Sequence, residues 1–158
     1  MNVFDPAAFM QGTVEGVGST TVTPIPAGEV LALIGQDNSV RPNTFQDKTT
    51  GETRVRLDVT FDILDDSGAI RAAIDGRDPK ITQGFFLDLV PGTFQLDMGK
   101  GKNVQLNRLR EAVGQNDGRA WSPPMLMGAG PVKLQIVVEP NKQTGELQNR
   151  IKSFGKPA

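Results

Sequence analysis

The stretch Arg54-Val55-Arg56-Leu57-Asp58-Val59-Thr60-Phe61-Asp62-Ile63 decides the fold, because apolar and polar side chains alternate along its whole length. Val, Leu and Phe residues would face one side of a strand, and Arg, Asp and Thr residues would face the other. A period of two residues predicts a half-buried antiparallel strand. The run Asp65-Asp66-Ser67-Gly68 that follows predicts a turn that ends the strand.

Four further strands are predicted around this one. Residues 29–34 are apolar on both faces, residues 81–89 place Phe86 on their polar face, and residues 131–138 alternate again. A turn at residues 142–146 leads into a last strand at residues 147–154. The intervening residues 35–53 and 69–80 are rich in polar side chains, Gly and Pro, and are interpreted as long connections.

One helix of several turns is predicted between the third and fourth strands. It begins at Lys102 or Asn103 and ends at Val113, with Leu106, Leu109 and Val113 forming an apolar stripe. Gly114 follows at the position where glycine commonly ends a helix.

The order strand, strand, strand, helix, strand, strand predicts a mainly β protein built as a five-stranded barrel of the oligonucleotide-binding (OB) kind. The barrel domain would cover residues 29–156. Residues 1–28 are rich in Gly, Thr, Ser and Pro and are interpreted as an extended N-terminal arm, with a short helical turn capped by Asp5. The arm either packs its Phe residues on the barrel or takes part in contacts between subunits.

The composition excludes several functional classes. The chain of 158 residues contains no Cys, no His and no Tyr, which removes disulfides, thiol catalysis and the commonest general base and metal ligand. We therefore expect no enzyme, no cofactor and no metal site. Apolar runs of about five residues are far shorter than the roughly 20 that a membrane span needs, so we expect no membrane contact and a cytoplasmic protein.

Several local strings carry a resemblance to a known family. They are Pro26-Ala27-Gly28 and the runs at residues 57–64, 109–114, 128–134 and 149–152. In these strings the chain resembles small proteins of phage replication and recombination gene clusters, which look like single-stranded DNA-binding proteins. The resemblance implies an OB fold, single-stranded DNA and phage replication or recombination proteins as partners, and the cytoplasm of the infected host cell. The last residues include Lys152, Lys156 and Pro157 rather than the acidic tail by which many such proteins recruit partners, so we do not expect recruitment by that route.

Single-strand binders combine basic side chains along the backbone with aromatic platforms for the bases. With a net charge of −1, the basic groups must be segregated onto one face. In an OB barrel that face comprises the outer sides of strands two and three and the adjoining loops. The candidate residues there are Arg41, Phe45 and Lys48 in the first loop, Arg54 and Arg56 on strand two, and Phe86 on strand three.

Each of these candidates has an alternative interpretation. Phe86 either stacks on a base or is covered by the arm or by a subunit partner. Arg54 and Arg56 either bind phosphate or pair with Asp58 and Asp62.

Two further basic groups are candidates for DNA contact. Arg150, Lys152 and Phe154 would share one face of the last strand with Lys133 nearby, as a phosphate-and-base contact or as a solvated edge strand. Lys100 and Lys102 precede the helix, where they would bind phosphate or form a flexible basic turn. The spacing of Gly and Lys there does not match the P-loop of NTP-hydrolysing proteins.

Two other features have a structural interpretation that we favour. Asp62, Asp65 and Asp66 suggest a turn, because the full calcium-loop pattern is missing. Trp121, beside two prolines, is expected to fill a gap in the core rather than to form an exposed platform.

The sequence thus predicts sequence-tolerant single-stranded DNA binding. The alternative is a β-rich virion component or a modulator of a host protein, without nucleic-acid binding. The residues leave self-association as a homo-oligomer open.

Overall fold

A computed structural model describes residues 3–157 and shows a mainly β protein. Its six strands are β1 (Gly28–Ile34), β2 (Val40–Gln46), β3 (Thr53–Ile63), β4 (Lys80–Phe86), β5 (Val132–Pro140) and β6 (Leu147–Gly155). The helices are α1 (Pro6–Gln11), α2 (Ala69–Ala73) and α3 (Val104–Ala112), and a single 3₁₀ turn covers Pro123–Leu126. Among the helices of residues 3–157, none has the length and apolar character that crossing a membrane requires.

All six strands belong to one antiparallel sheet with β3 at its centre. β3 pairs with β2 and then β1 along one edge and with β4 along the other. From β1 the sheet continues through β5 to β6, so β2 and β6 lie at opposite ends of the strand order.

The alternation predicted for β3 is confirmed. Leu57, Val59, Phe61 and Ile63 are buried in the core. They share that core with residues of β1, β5 and α3, including Ile34, Leu134 and Leu109. The long central strand therefore carries the apolar face on which the rest of the domain packs.

The closed five-stranded barrel is not confirmed, because the sheet has six strands and stays open. Within residues 3–157, β4 and β6 form no strand pairing with each other. The ring of Phe154 lies between them, with its centroid 5.7 Å from that of Phe85 and 5.8 Å from that of Phe61. A cavity of about 400 Å³ borders β4, β6 and the start of α3.

The interpretation of residues 35–53 as one long loop is wrong, because β2 lies within them. Pro42 argued against a strand in the sequence, because proline lacks the backbone N–H that donates a hydrogen bond to a neighbouring strand. Just beyond the two ends of β2, Asp47 N donates to Glu52 O and Thr60 N donates to Ser39 O. In this register the hydrogen-bonded pairs between β2 and β3 therefore fall at the odd-numbered residues of β2. Pro42 therefore falls on a non-hydrogen-bonded pair, where its missing N–H would point to the free edge.

The remaining elements follow the predictions closely. α3 is confirmed, and Gly114 has a φ of 76°, as a helix-ending glycine should. The third predicted strand ends at Phe86 rather than at residue 89, and the connection at residues 69–80 contains the short α2. The side chain of Asp5 caps α1 by accepting from the amides of Ala7 and Ala8.

Candidate nucleic-acid interface

The solvent side of β2, β3 and β4 gathers side chains from three neighbouring strands on one surface, which we call the outer face. The register places Phe45 of β2 opposite Arg54 of β3, and Phe86 of β4 opposite Arg56 of β3. The members are Arg41, Asn43 and Phe45 on β2, Arg54, Arg56, Asp58, Thr60 and Asp62 on β3, and Lys80, Thr82, Gly84 and Phe86 on β4.

Two aromatic rings stand at one end of this face. The centroids of Phe45 and Phe86 are 5.7 Å apart and their planes meet at 85°, an edge-to-face arrangement that aromatic pairs favour. Phe86 is 62% exposed and Phe45 is 37% exposed. The contact restricts both rings while Phe86 keeps most of its surface exposed, and a stacking platform needs such exposure.

Asp58 organises the polar centre of the outer face. It is buried, and its carboxylate accepts from Nε of Arg56 at 2.8 Å, from Nη2 of Arg56 at 3.1 Å and from Nδ2 of Asn43. The hydrogen bond and the charge of Asp58 raise the pKa of Arg56. This bidentate contact fixes the guanidinium plane of Arg56 beside the rings.

Gly84 makes room for that arrangement. A Cβ atom at this position would lie 2.8 Å from Cδ of Arg56 and 3.1 Å from Oδ1 of Asp58. The aliphatic part of Arg56 therefore lies directly over the backbone of β4. A glycine inside a strand often marks such a close approach.

The other charges of the outer face leave it weakly positive. Arg54 lies 3.6 Å from Asp47 in the β2–β3 turn, and Lys80 lies 4.0 Å from Asp62. Arg41 has no carboxylate within ion-pair distance in residues 3–157. Four cations face two carboxylates on the three strands, an excess of two positive charges on a chain whose net charge is −1.

Lys48 lies in the exposed turn between β2 and β3, next to Asp47. The amides of Thr49 and Thr50 donate to the Asp47 carboxylate and lower its pKa, so the turn is firmly built. Lys48 thus stands at the same end of the sheet as Phe45 and Arg54.

The two lysines before α3 occupy different positions. Lys102 and Arg54 both line a depression of about 640 Å³ beside the outer face, whereas Lys100 is an exposed loop residue outside it. At the start of α3, Oδ2 of Asp88 already accepts from the amide of Asn103 at 2.9 Å. A carboxylate of the chain itself therefore holds the place that a phosphate would take there.

The predicted cluster on the last strand is not brought together. A register shift between Gln135 and Ile136 in the β5–β6 pairing turns Phe154 inward against Phe61 and Phe85, so it is no exposed platform. Lys133 pairs with Glu29 at 3.5 Å, and Arg150 pairs with Glu139 at 2.8 Å. Lys152 is exposed beside the shift, outside the outer face.

Trp121 behaves as the expected core plug. It is half-buried against the core, and its Nε1 donates to Oε1 of Gln115 at 2.8 Å. The guanidinium of Arg110 lies 4.6 Å from the ring centroid. Arg110 is not part of the apolar stripe predicted for α3, yet it is buried.

The acidic run after β3 forms the predicted turn. The amide of Gly68 donates to the carbonyl of Asp65 at 3.0 Å. The Asp65 carboxylate accepts from the amides of Ile70 and Arg71 at the start of α2, and these bonds lower its pKa. No group of three acidic side chains in the described part of the chain is placed to hold a metal ion.

Sequence reasoning missed two members of the site, Asn43 and Gly84. The alternative in which Arg56 pairs with Asp58 is confirmed, whereas Arg54 pairs with Asp47 instead. The glycine inside the predicted strand at residues 81–89 was a signal for the close approach at Gly84. No signal in the sequence marked Asn43, because its strand was not predicted.

In comparisons with known proteins, no family model, no curated protein and no solved structure matches this chain significantly.

Proposed function

We propose that the protein binds single-stranded DNA without strong sequence preference, as part of phage replication or recombination. The observation that carries the proposal is the exposed ring of Phe86, paired with Phe45 and flanked by Arg54 and Arg56 on one face of the sheet. Aromatic stacking next to cations is the recurrent chemistry of single-strand binding.

In this proposal a base stacks on Phe86 while phosphates approach the arginines. Arg56 is held by Asp58, so it offers a fixed cation beside the ring at little cost in side-chain entropy. Arg41 and Lys48 extend the path along β2 and its turn. Stacking uses the flat face that every base has, which favours sequence tolerance.

The strand pairings support a relation to the OB fold. β1 pairs with both β3 and β5, and β3 pairs with β4, as in a partly open Greek-key barrel. We infer that the chain is an open variant of that fold with β2 added at the edge of β3.

A fluorescence-anisotropy titration with labelled poly-dT at roughly 50 mM salt tests the proposal. Phe86→Ala should weaken binding roughly 5- to 150-fold, since one stacked base is worth about 1–3 kcal/mol. Leu147→Ala is the matched control, because Leu147 is similarly exposed (57%) but lies at the start of β6, away from the outer face.

Both substitutions replace exposed side chains, so both variants should fold. Equal affinities for the two variants, or no binding by the unmodified protein, would refute DNA binding through the outer face. A large difference in affinity between poly-dT and mixed sequences would refute sequence tolerance.

A further inference from the structure

The opposite side of β2 borders a groove of about 810 Å³ that the proposed function does not use. Its walls are largely apolar and include Pro42, Val55, Leu89, Phe94, Met98 and Trp121. Phe94 and Met98 are 77% and 61% exposed, so the groove opens to solvent. The charged residues of its lining are both arginines, Arg110 and Arg119.

Arg110 is the unusual member of this groove, because it is buried without a counter-ion. Its side chain donates to Oδ1 of Asn107 at 3.0 Å and to the carbonyl of Gln115 at 3.1 Å, while its buried Nε has no partner. In residues 3–157 no carboxylate lies within ion-pair distance of it. Burial lowers the pKa of Arg110, and the charge of Asp117, which is already paired with Arg119, offsets this only in part. A carboxylate in direct contact would stabilise the buried charge.

The N-terminal arm has the complementary chemistry. Residues 3–22 contain Asp5 and Glu15 and no Lys or Arg. They are exposed, and among the described residues they form no hydrogen bond to the rest of the domain. Val14 and Val17, which flank Glu15, are 95% and 101% exposed.

Asp5 and Glu15 differ in what they already bind. Oδ1 of Asp5 caps α1, whereas Glu15 has no hydrogen bond or ion pair within the described residues. Glu15 is therefore the carboxylate that is free to pair with a buried arginine.

The root of the arm is anchored at the opposite end of the strand order from the groove. Ile25 is buried and tied to Asn149 of β6, with its amide donating to Oδ1 at 2.8 Å and its carbonyl accepting from Nδ2 at 2.8 Å. Thr23 is held as well, by Asp75 and Arg77 after α2, whereas the groove lies under β2. A second molecule can approach the groove from outside and supply its arm without crossing the sheet.

We propose that the arm of one copy docks in the groove of a second copy, with Val14 and Val17 against its apolar wall and Glu15 paired with Arg110. The exchange buries apolar side chains that are otherwise exposed and gives the buried arginine its counter-ion. It makes the protein a homo-oligomer held through its arms.

Sedimentation equilibrium over micromolar concentrations tests the exchange, with three variants of the full chain. The arm variant Val14→Ser/Val17→Ser and the groove variant Phe94→Ser/Met98→Ser should each weaken self-association, by about tenfold or more for each apolar side chain lost. Leu147→Ser is the control, because it removes an exposed apolar side chain outside both surfaces and should associate like the unmodified protein. A mixture of arm and groove variants should regain part of the association, since one intact arm then meets one intact groove.

Trp121 supplies a second readout, because it is the single Trp of the chain and lines the groove. A peptide of residues 3–22 contains no Trp or Tyr, so its addition to the arm variant should change only the fluorescence of Trp121. The same peptide with Glu15→Lys should bind at least tenfold more weakly.

Three results would overturn the proposal. One is a monomer at every concentration, and another is unchanged association of the groove variant. The third is a Trp121 signal that depends on the arm while the protein stays monomeric, because the arm would then occupy its own groove.

Discussion

Among the individual side chains of the outer face, Asp58 accepts the most hydrogen bonds from its neighbours. Its carboxylate joins Arg56 and Asn43, which lie on different strands, and it lies over the gap left by Gly84. The aromatic pair lies next to this arrangement, since Phe86 stands directly opposite Arg56 in the register. A buried carboxylate on the solvent side of a strand is therefore part of the outer face.

We predict that Asp58→Asn lowers the free energy of unfolding by about 1–3 kcal/mol, because an amide cannot accept all three hydrogen bonds and its own buried N–H groups would face the donors of Arg56 and Asn43. Urea unfolding measures the change. Asp62→Asn serves as the control, because its ion pair with Lys80 is long and exposed, and it should change stability by less than about 0.5 kcal/mol. If the two variants are equally stable, Asp58 does not organise the face.

The limits of prediction from sequence are clearest for single side chains. Phe86 and Arg56 could be predicted, because the alternation of their strands assigns them to the solvent side. Phe154 could not, because the irregularity between β5 and β6 reverses its side and the sequence shows no sign of it. Arg110 resembles any charged helix residue until its burial under Trp121 is known.

Among the secondary-structure elements, α2 depends on a residue outside it. It has five residues, its N-cap is Gly68, and its first amides are satisfied by the Asp65 carboxylate. Helices this short gain little from their own hydrogen bonds, so the cap and the buried Ile74 at its end hold it in place.

This dependence predicts a pH effect. Because folding lowers the pKa of Asp65 below its ordinary value of 3.8, the stabilisation that it supplies is complete above pH 3.8 and is lost as the pH falls through the lower pKa of the folded state. Asp65→Ala should therefore be less stable than the unmodified protein at neutral pH and should lose less stability on acidification.

Urea unfolding at neutral pH and at several pH values below 3.8 measures both effects. Asp66→Ala is the control, since Asp66 is exposed and accepts no hydrogen bond within the described residues. Parallel pH profiles for Asp65→Ala and the unmodified protein would contradict the prediction.

β2 shows why one strand could not be predicted. Val40, Pro42 and Thr44 face the groove and Arg41, Asn43 and Phe45 face outward, so the alternation is present but is carried mostly by polar side chains. Proline argues against a strand unless the strand is known to lie at an edge. That knowledge requires the sheet order, which only the tertiary structure provides.

Over the whole molecule, the small excess of positive charge on the outer face predicts how steeply the affinity of the proposed DNA binding falls as the salt concentration rises. With two to three phosphates neutralised, the slope of log K against log salt concentration should be roughly −1.4 to −2.1 for a single strand. Anisotropy titrations at several salt concentrations measure this slope. A much steeper slope would show that basic residues beyond the outer face, such as Lys152, contact the DNA.

The open sheet shows what the order of elements cannot predict, namely whether the sheet closes into a barrel. The five expected strands and the long helix are all present. Closure depends instead on whether two edges meet, and within residues 3–157 β4 and β6 form no strand pairing, although the ring of Phe154 on β6 contacts Phe85 on β4. The hydrophobic periodicity of β4 and of β6 contains no information on the distance between these two strands.

Pro42 has a consequence for the behaviour of the protein in solution. An uncovered strand edge with a full row of donors can recruit edges of other molecules and grow into aggregates. At Pro42 the free edge of β2 lacks one donor, so the regular ladder that a second edge would need is interrupted. Pro42, which argues against a strand in the sequence, thus lowers the risk of edge-to-edge aggregation. The protein can therefore expose Phe45 and Phe86 near an unpaired strand edge.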